Sequence, residues 1–268
     1  MVIRVITIFI VLLISLNYTF AQSSRRSTQV LRPADTFIFR TKPTRDQKKR
    51  LLPNPLDLKK YEQFLEQPKT GIFRLMPDIG CTENVNVIKV DADCLNFIPE
   101  SSYYSFREKE HTIELLADIR LNSGFLISDG VLSQGILVYL GETDLEKITP
   151  ESEGMDFISR FSPDSKWGEA QKQYIQMMRG VKVGKYEYRK AVPMVENATY
   201  VLRVIAYRGS IFRVFRGYRF DLLAGDKRID LTLAFRVIRK EQDGSVTLLW
   251  KEIERKDAPR MEFPKRKK

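Results

Sequence analysis

The segment from Phe212 to Phe220 sets ring and guanidinium side chains side by side: Phe212, Phe215, Tyr218 and Phe220 are interleaved with Arg213, Arg216 and Arg219. Guanidinium groups grip carboxylates and phosphates through paired hydrogen bonds and stack on aromatic faces. Arg213, Phe215, Arg216, Tyr218 and Arg219 are therefore candidate ligands for an anionic sugar, a lipid headgroup or an acidic peptide. Read as one continuous strand, the same segment puts Phe212, Val214, Tyr218 and Phe220 on one face and Arg213 and Arg219 on the other. That is the pattern of a core strand with a solvated side. Phe215 and Arg216 break it.

Other chemistries find fewer residues to work with. Cys81 and Cys94 have twelve residues between them, and their even number in a chain with an export signal reads as one disulfide. His111 is the single histidine, too few imidazoles for a zinc site and without the partners of a catalytic triad. Its charged surroundings, Arg107 to Glu114, suggest an exposed surface residue. Asp91 and Asp93 form a D-x-D pair that could help hold calcium, but the glycine and distal glutamate of a full ligand loop are missing. Paired carboxylates could also act as acid and base in a glycosidase, a mechanism that turns on a separation the sequence does not give. There is no G-x-S-x-G elbow and no phosphate-cradling glycine loop, so no catalytic residue, metal or cofactor is expected. Asn197-Ala198-Thr199 has the pattern of an N-glycosylation acceptor.

The chain opens like an exported protein. Arg4 precedes an apolar run from Val5 to Leu16 of signal-peptide length, too short to span a bilayer comfortably, and Thr19 and Ala21 fit a cut after residue 21. Gln22 would follow that cut, so no lipid-anchoring cysteine is indicated. Arg25 and Arg26 argue the other way, since positive charge just after the apolar run resists translocation. An uncleaved membrane tether is the alternative.

Of the 268 residues, 45 are Lys or Arg and 34 are Asp or Glu, for a net charge of +11, and the charges are unevenly spread. Residues 22–69 hold 12 basic and 5 acidic side chains, residues 70–180 hold 10 and 18, and residues 181–268 hold 22 and 11. Such blocks suit either a basic face for an anionic partner or an acidic segment folded against a basic one. Nucleic acid is the common partner of a basic protein. Export makes it unexpected here, and points to an anionic envelope polymer, a lipid headgroup or an acidic protein.

These residues need a scaffold, and its period is mostly two. Residues 22–53 read as a flexible basic arm. Asn54-Pro55 then starts a helix to about residue 66, with Leu58, Tyr61 and Leu65 as its apolar stripe. Short strands are expected at 72–76, 85–90, 94–98, 112–120, 125–128 and 136–140. In the fourth of these, Ile113, Leu115, Ala117 and Ile119 face one way. A helical insertion occupies 142–180. It carries a helix opening at Ser162-Pro163-Asp164, lined by Trp167, Ala170, Tyr174 and Met177, and closed by Gly180. That aromatic stripe could cover a ligand pocket, although core packing is its ordinary use. Strands return at 186–192, 199–208, 211–220, 229–239 and 246–253, with Asp243-Gly244 as a hairpin turn.

The fold class expected is mainly β: an antiparallel β-sandwich, or a partly open barrel, with a short N-terminal helix and one inserted helix. Residues 54–263 would form a single domain, and 264–268 a basic tail. The function expected is binding or scaffolding at the cell envelope. The alternative is an exported carboxylate-dependent hydrolase with its cleft beside Trp167, which two facing carboxylates in that cleft would reveal.

Overall fold

The computed structural model describes residues 30–31, 43–84, 87–88, 94, 97–215 and 217–264. The signal-peptide segment, Asp91 and Asp93, Arg216 and the basic tail from residue 265 lie outside them. In chain order the elements are β1 (Val30–Leu31), α1 (Arg45–Arg50), α2 (Pro55–Lys60), α3 (Glu62–Leu65), β2 (Thr70–Leu75), β3 (Thr82–Asn84), β4 (Val87–Ile88), β5 (Tyr103–Ser105), β6 (Glu110–His111), β7 (Ile119–Asn122), β8 (Phe125–Ile127) and β9 (Ser133–Gly141). They continue with α4 (Asp156–Arg160), α5 (Trp167–Arg179), β10 (Val181–Val183), β11 (Tyr186–Arg189), β12 (Ala191–Pro193), β13 (Thr199–Ala206), β14 (Phe212–Phe215), β15 (Tyr218–Asp221), β16 (Ile229–Lys240) and β17 (Val246–Asp257).

Two antiparallel sheets face each other in a sandwich. The larger has seven strands in the order β10-β11-β9-β13-β16-β17-β2, and the smaller five in the order β12-β8-β7-β5-β6. Between them lies a core fed by alternate residues: Tyr200, Leu202 and Val204 from β13, Leu231, Leu233, Phe235 and Val237 from β16, Leu248 and Trp250 from β17, and Ile119, Leu121 and Leu126 from the smaller sheet. The intervening residues of the large sheet, among them Ile136, Val138, Val201, Ile205 and Ala234, pack on its other side with Ile158 of α4, Ala170 and Met177 of α5 and Phe64 of α3. All eight residues of β13 are buried, because a strand covered on both faces has no solvent side. The helical layer over the large sheet is the feature a plain sandwich lacks.

Buried arginines tie the layers together. Arg203 of β13 points to the helical side and holds Asp230 through two bonds, Nε to Oδ1 at 2.9 Å and Nη2 to Oδ2 at 2.7 Å, while its Nη1 donates to the carbonyls of Ile158 and Phe161 at the end of α4. Arg107 lies between Asp118 at 2.6 Å and Asp226 at 2.7 Å, and donates as well to the carbonyls of Leu116 and Lys227. Burial pulls its pKa down, and the two carboxylates outweigh burial and hold it above the ordinary value. Arg228 shares Asp226 at 2.7 Å. Arg239 of β16 grips Asp57 in the first turn of α2 with two bonds of 2.7 Å.

Several sequence expectations are corrected. The segment 112–120 is not one strand: Glu114–Leu116 coil into a 3-10 turn and the paired strand begins only at Ile119. The turn brings the Leu116 carbonyl and the Asp118 carboxylate onto Arg107 together, a demand that side-chain periodicity does not record. Cys94 does not open a strand either, since the Phe97 amide bonds back to its carbonyl in a turn. The run 186–192 is split between the two sheets. β11 pairs with β9 and β12 with β8, and at the crossing Lys190 gives its N–H to the Met177 carbonyl and accepts from the Ser128 N–H.

Residues 45–50, expected in a flexible arm, are a helix with a full capping box between Thr44 and Gln47. The N-terminal helix breaks at Tyr61 and buries Asp57 and Phe64, while Leu58 is exposed. The α5 helix starts at Trp167 rather than at Pro163, because the Asp164 carboxylate caps the Lys166 N–H and the Asp164 N–H is taken by Gln173. Its stripe is as read: Ala170 and Met177 are buried, Trp167 and Tyr174 half-buried, and Gly180 closes it at φ 90°.

Candidate functional site

The arginine and aromatic cluster does not lie in a core strand. Phe212–Phe215 and Tyr218–Asp221 form a hairpin in a three-stranded sheet of order β1-β15-β14, with β1 parallel to β15. Gly217 takes φ 82°, which favours glycine at that turn. The antiparallel pairing reverses the phase, so that Phe212 and Asp221, Arg213 and Phe220, Val214 and Arg219, and Phe215 and Tyr218 are opposite one another. Opposite residues share a face. Arg213 therefore shares its face with Tyr218 and Phe220, and Arg219 shares the other with Phe212 and Val214, which replaces the segregated faces expected from a single strand.

The surface is exposed on both faces. Val214 is 68%, Tyr218 49% and Phe212 40% exposed, and Arg213 and Arg219 are exposed as well. The Arg219 guanidinium carbon stands 3.8 Å from the Phe212 ring centroid, a cation–π arrangement that pre-orders the group. The one carboxylate in the hairpin is turned to its own backbone: Asp221 Oδ1 accepts from Ile211 N–H at 2.9 Å and Leu223 N–H at 3.1 Å. Among the described residues, Arg213 and Arg219 make no ion pair. The structure brings Arg213, Tyr218 and Arg219 onto one hairpin with the Phe215 backbone; Arg216 lies outside the described residues.

Several basic groups elsewhere are answered by acids. A groove of about 380 Å³ along the edge of the large sheet is lined in part by Tyr139, Lys185, Tyr186 and Arg189, but Lys185 pairs with Glu153 at 2.5 Å and Arg189 with Glu187 at 2.9 Å. Lys227 pairs with Glu108 and Lys190 with Asp129, both at 2.7 Å. Acids of the middle segment thus offset Lys185, Lys190 and Lys227 of the last third, and the hairpin arginines are not among the bases so paired.

A second concavity, of about 200 Å³, opens between α5 and the start of β9. Asp129, Gln134, Trp167, Tyr174, Tyr207 and Met261 are among its walls. The aromatic helix does line a cleft, then, while Asp129, Gln134 and Tyr207 were not singled out as site residues from the sequence; Gln134 lies ahead of the strand read at 136–140 and is enclosed only by the helical layer. Asp129 is the only carboxylate among the described residues lining this cleft, and it is held by Lys190 and by the Gly130 N–H at 2.9 Å. The facing carboxylate pair that would mark a hydrolase is not found there.

Cys81 and Cys94 are bridged, with Cα atoms 5.5 Å apart, the single disulfide expected from their even number in a chain with an export signal. His111 is corrected: it is half-buried rather than exposed. Its ring packs edge-on to Tyr104 at 5.5 Å, and its Nδ1 lies 3.1 Å from the Tyr103 carbonyl, to which it must donate. Burial lowers its pKa to about 4. Asn197 is exposed on a turn at φ 63°. Among the described residues no group of His, Cys, Asp and Glu could hold a metal ion, and no helix is long and apolar enough to cross a membrane. No protein-family model, curated protein or solved structure matches the chain.

Proposed function

We propose that this is an exported protein that binds an acidic polymer of the cell envelope through the β14–β15 hairpin, with the sandwich as its scaffold. The observation that carries the reading is the composition of that hairpin surface: Arg213 and Arg219 exposed, without acidic partners among the described residues, and set against the exposed Phe212, Val214 and Tyr218. Aromatic and arginine side chains in one exposed patch have the composition of binding surfaces, and a planar guanidinium fork suits carboxylate or phosphate groups repeated along a polymer. The disulfide agrees with an oxidising compartment, and the apolar run before residue 21 agrees with export.

Binding of a polyuronate to the chain beginning at Gln22, measured by calorimetry at several salt concentrations, tests the proposal. The expected affinity falls as salt rises, and falls further in the double variant Arg213→Glu, Arg219→Glu with no change in thermal unfolding. Equal affinity of the variant and the parent chain would reject the hairpin as the binding surface.

A further inference from the structure

We propose that the cleft between α5 and the start of β9 binds one neutral N-acetylated sugar ring, at a site separate from the hairpin. The argument starts from Gln134. It is 2% exposed, its Oε1 accepts from the Tyr207 hydroxyl at 3.1 Å, and its Nε2 is buried without a hydrogen-bond partner. Turning the amide over exchanges the two ends and still leaves one unanswered. Buried amides are almost always satisfied, and this one forms part of the wall of a cleft. A ligand amide answers it in either orientation, because an acetamido group offers a carbonyl acceptor on one edge and an N–H donor on the other.

The remaining walls select the rest of the ligand. Asp129 can accept from a ring hydroxyl, and its charge is already balanced: Lys190 Nζ lies 2.7 Å from Asp129 Oδ2, bonds the Tyr174 hydroxyl and stands 4.2 Å from the Tyr174 ring centroid. The chain's own ammonium therefore holds the place a cationic ligand would take, and an anionic ligand would meet the carboxylate. A neutral ligand is left. Trp167 offers an aromatic face of the kind on which the C–H face of a sugar ring stacks, and its indole is steadied by Phe263 at 5.4 Å between centroids. Met261, also in the wall, gives the acetyl methyl an apolar neighbour. At about 200 Å³ the cleft is smaller than the roughly 300–1,000 Å³ of pockets for drug-sized ligands, which limits it to about one ring.

Saturation-transfer NMR on the full chain, titrated with N-acetylglucosamine and in parallel with glucose, tests the proposal. The expected result is saturable transfer strongest at the acetyl methyl, with glucose binding roughly tenfold more weakly or not at all. Gln134→Leu keeps the bulk and removes the amide, and is expected to weaken binding roughly tenfold with the thermal transition retained. If that variant does not fold, Trp167→Ala at the half-buried rim is expected to lose the signal instead. Arg213→Glu with Arg219→Glu should bind the sugar as the parent does, which separates this site from the hairpin. No acetyl-methyl transfer to the parent chain, equal binding of the two sugars, or unchanged binding by a folded Gln134→Leu or Trp167→Ala variant would overturn the proposal.

Discussion

Arg107 and Arg203 are the residues whose roles differ most from their appearance in the sequence. Each is a cation in a strand-rich segment, where a solvated side is the ordinary reading, and each is buried with its donors distributed over carboxylates and carbonyls from other elements. Removing one partner of a buried ion pair strands the other. Arg107→Ala leaves Asp118 without its guanidinium, and is expected to lower unfolding free energy by about 3–5 kcal/mol in urea denaturation. A loss under about 1 kcal/mol, as for a surface pair, would contradict the account. The sequence does hold a trace of this for Arg203, a lone charge in the apolar run TYVLRVIA; its acid, Asp230, lies in the next long strand and becomes a neighbour only through the pairing register.

His111 makes a pH prediction at the same scale. Its folded pKa of about 4 lies below the ordinary imidazole value of 6.5, so between those values the unfolded chain binds the additional proton. The stability contributed by the neutral ring is complete above about pH 6.5 and is lost as pH falls through 4. His111→Gln is expected to flatten the stability profile across that window in denaturation series, and an unchanged slope would remove His111 as a cause.

Among the elements, the long strands were legible because both faces of the large sheet are apolar and alternation survives between the two cores. The hairpin was not, because Arg216-Gly217 interrupts a run whose residue types continue to favour a strand, and hydrophobic pattern alone does not register a change of phase. The contact of β2 with β17 gives a test at this scale. Gly71 is opposite Trp250, and a Cβ built at Gly71 would lie 2.6 Å from the indole nitrogen. Trp250 is packed in the sandwich core, so the ring has little room to yield. Gly71→Ala is expected to cost about 1–3 kcal/mol as overpacking in chemical denaturation. A neutral or stabilising result, as for an unstrained glycine in a strand, would show that the ring moves aside.

For the molecule as a whole, the mainly-β sandwich followed from many short strands and turn signals, whereas the helical layer on its second face required knowing that α4 and α5 return to the sheet through Arg203 and Lys190. The disulfide closes a local loop around the β3–β4 pair and joins neither face of the sandwich. Replacing both cysteines by serine is expected to cost about 3 kcal/mol in the loop-entropy picture and to leave one cooperative transition; loss of that transition would make the bridge a condition of folding.

The charge balance tells most about function. Lys185, Lys190 and Lys227 of the last third are offset by acids of the middle segment, and the hairpin arginines remain outside those pairs. The most direct measurement is calorimetric binding of a polyuronate to the parent chain and to the Arg213→Glu, Arg219→Glu variant at low and high salt. The account predicts binding by the parent that weakens with salt and fails in the variant while both remain folded. Binding that is unaffected by both the salt and the substitutions would contradict it.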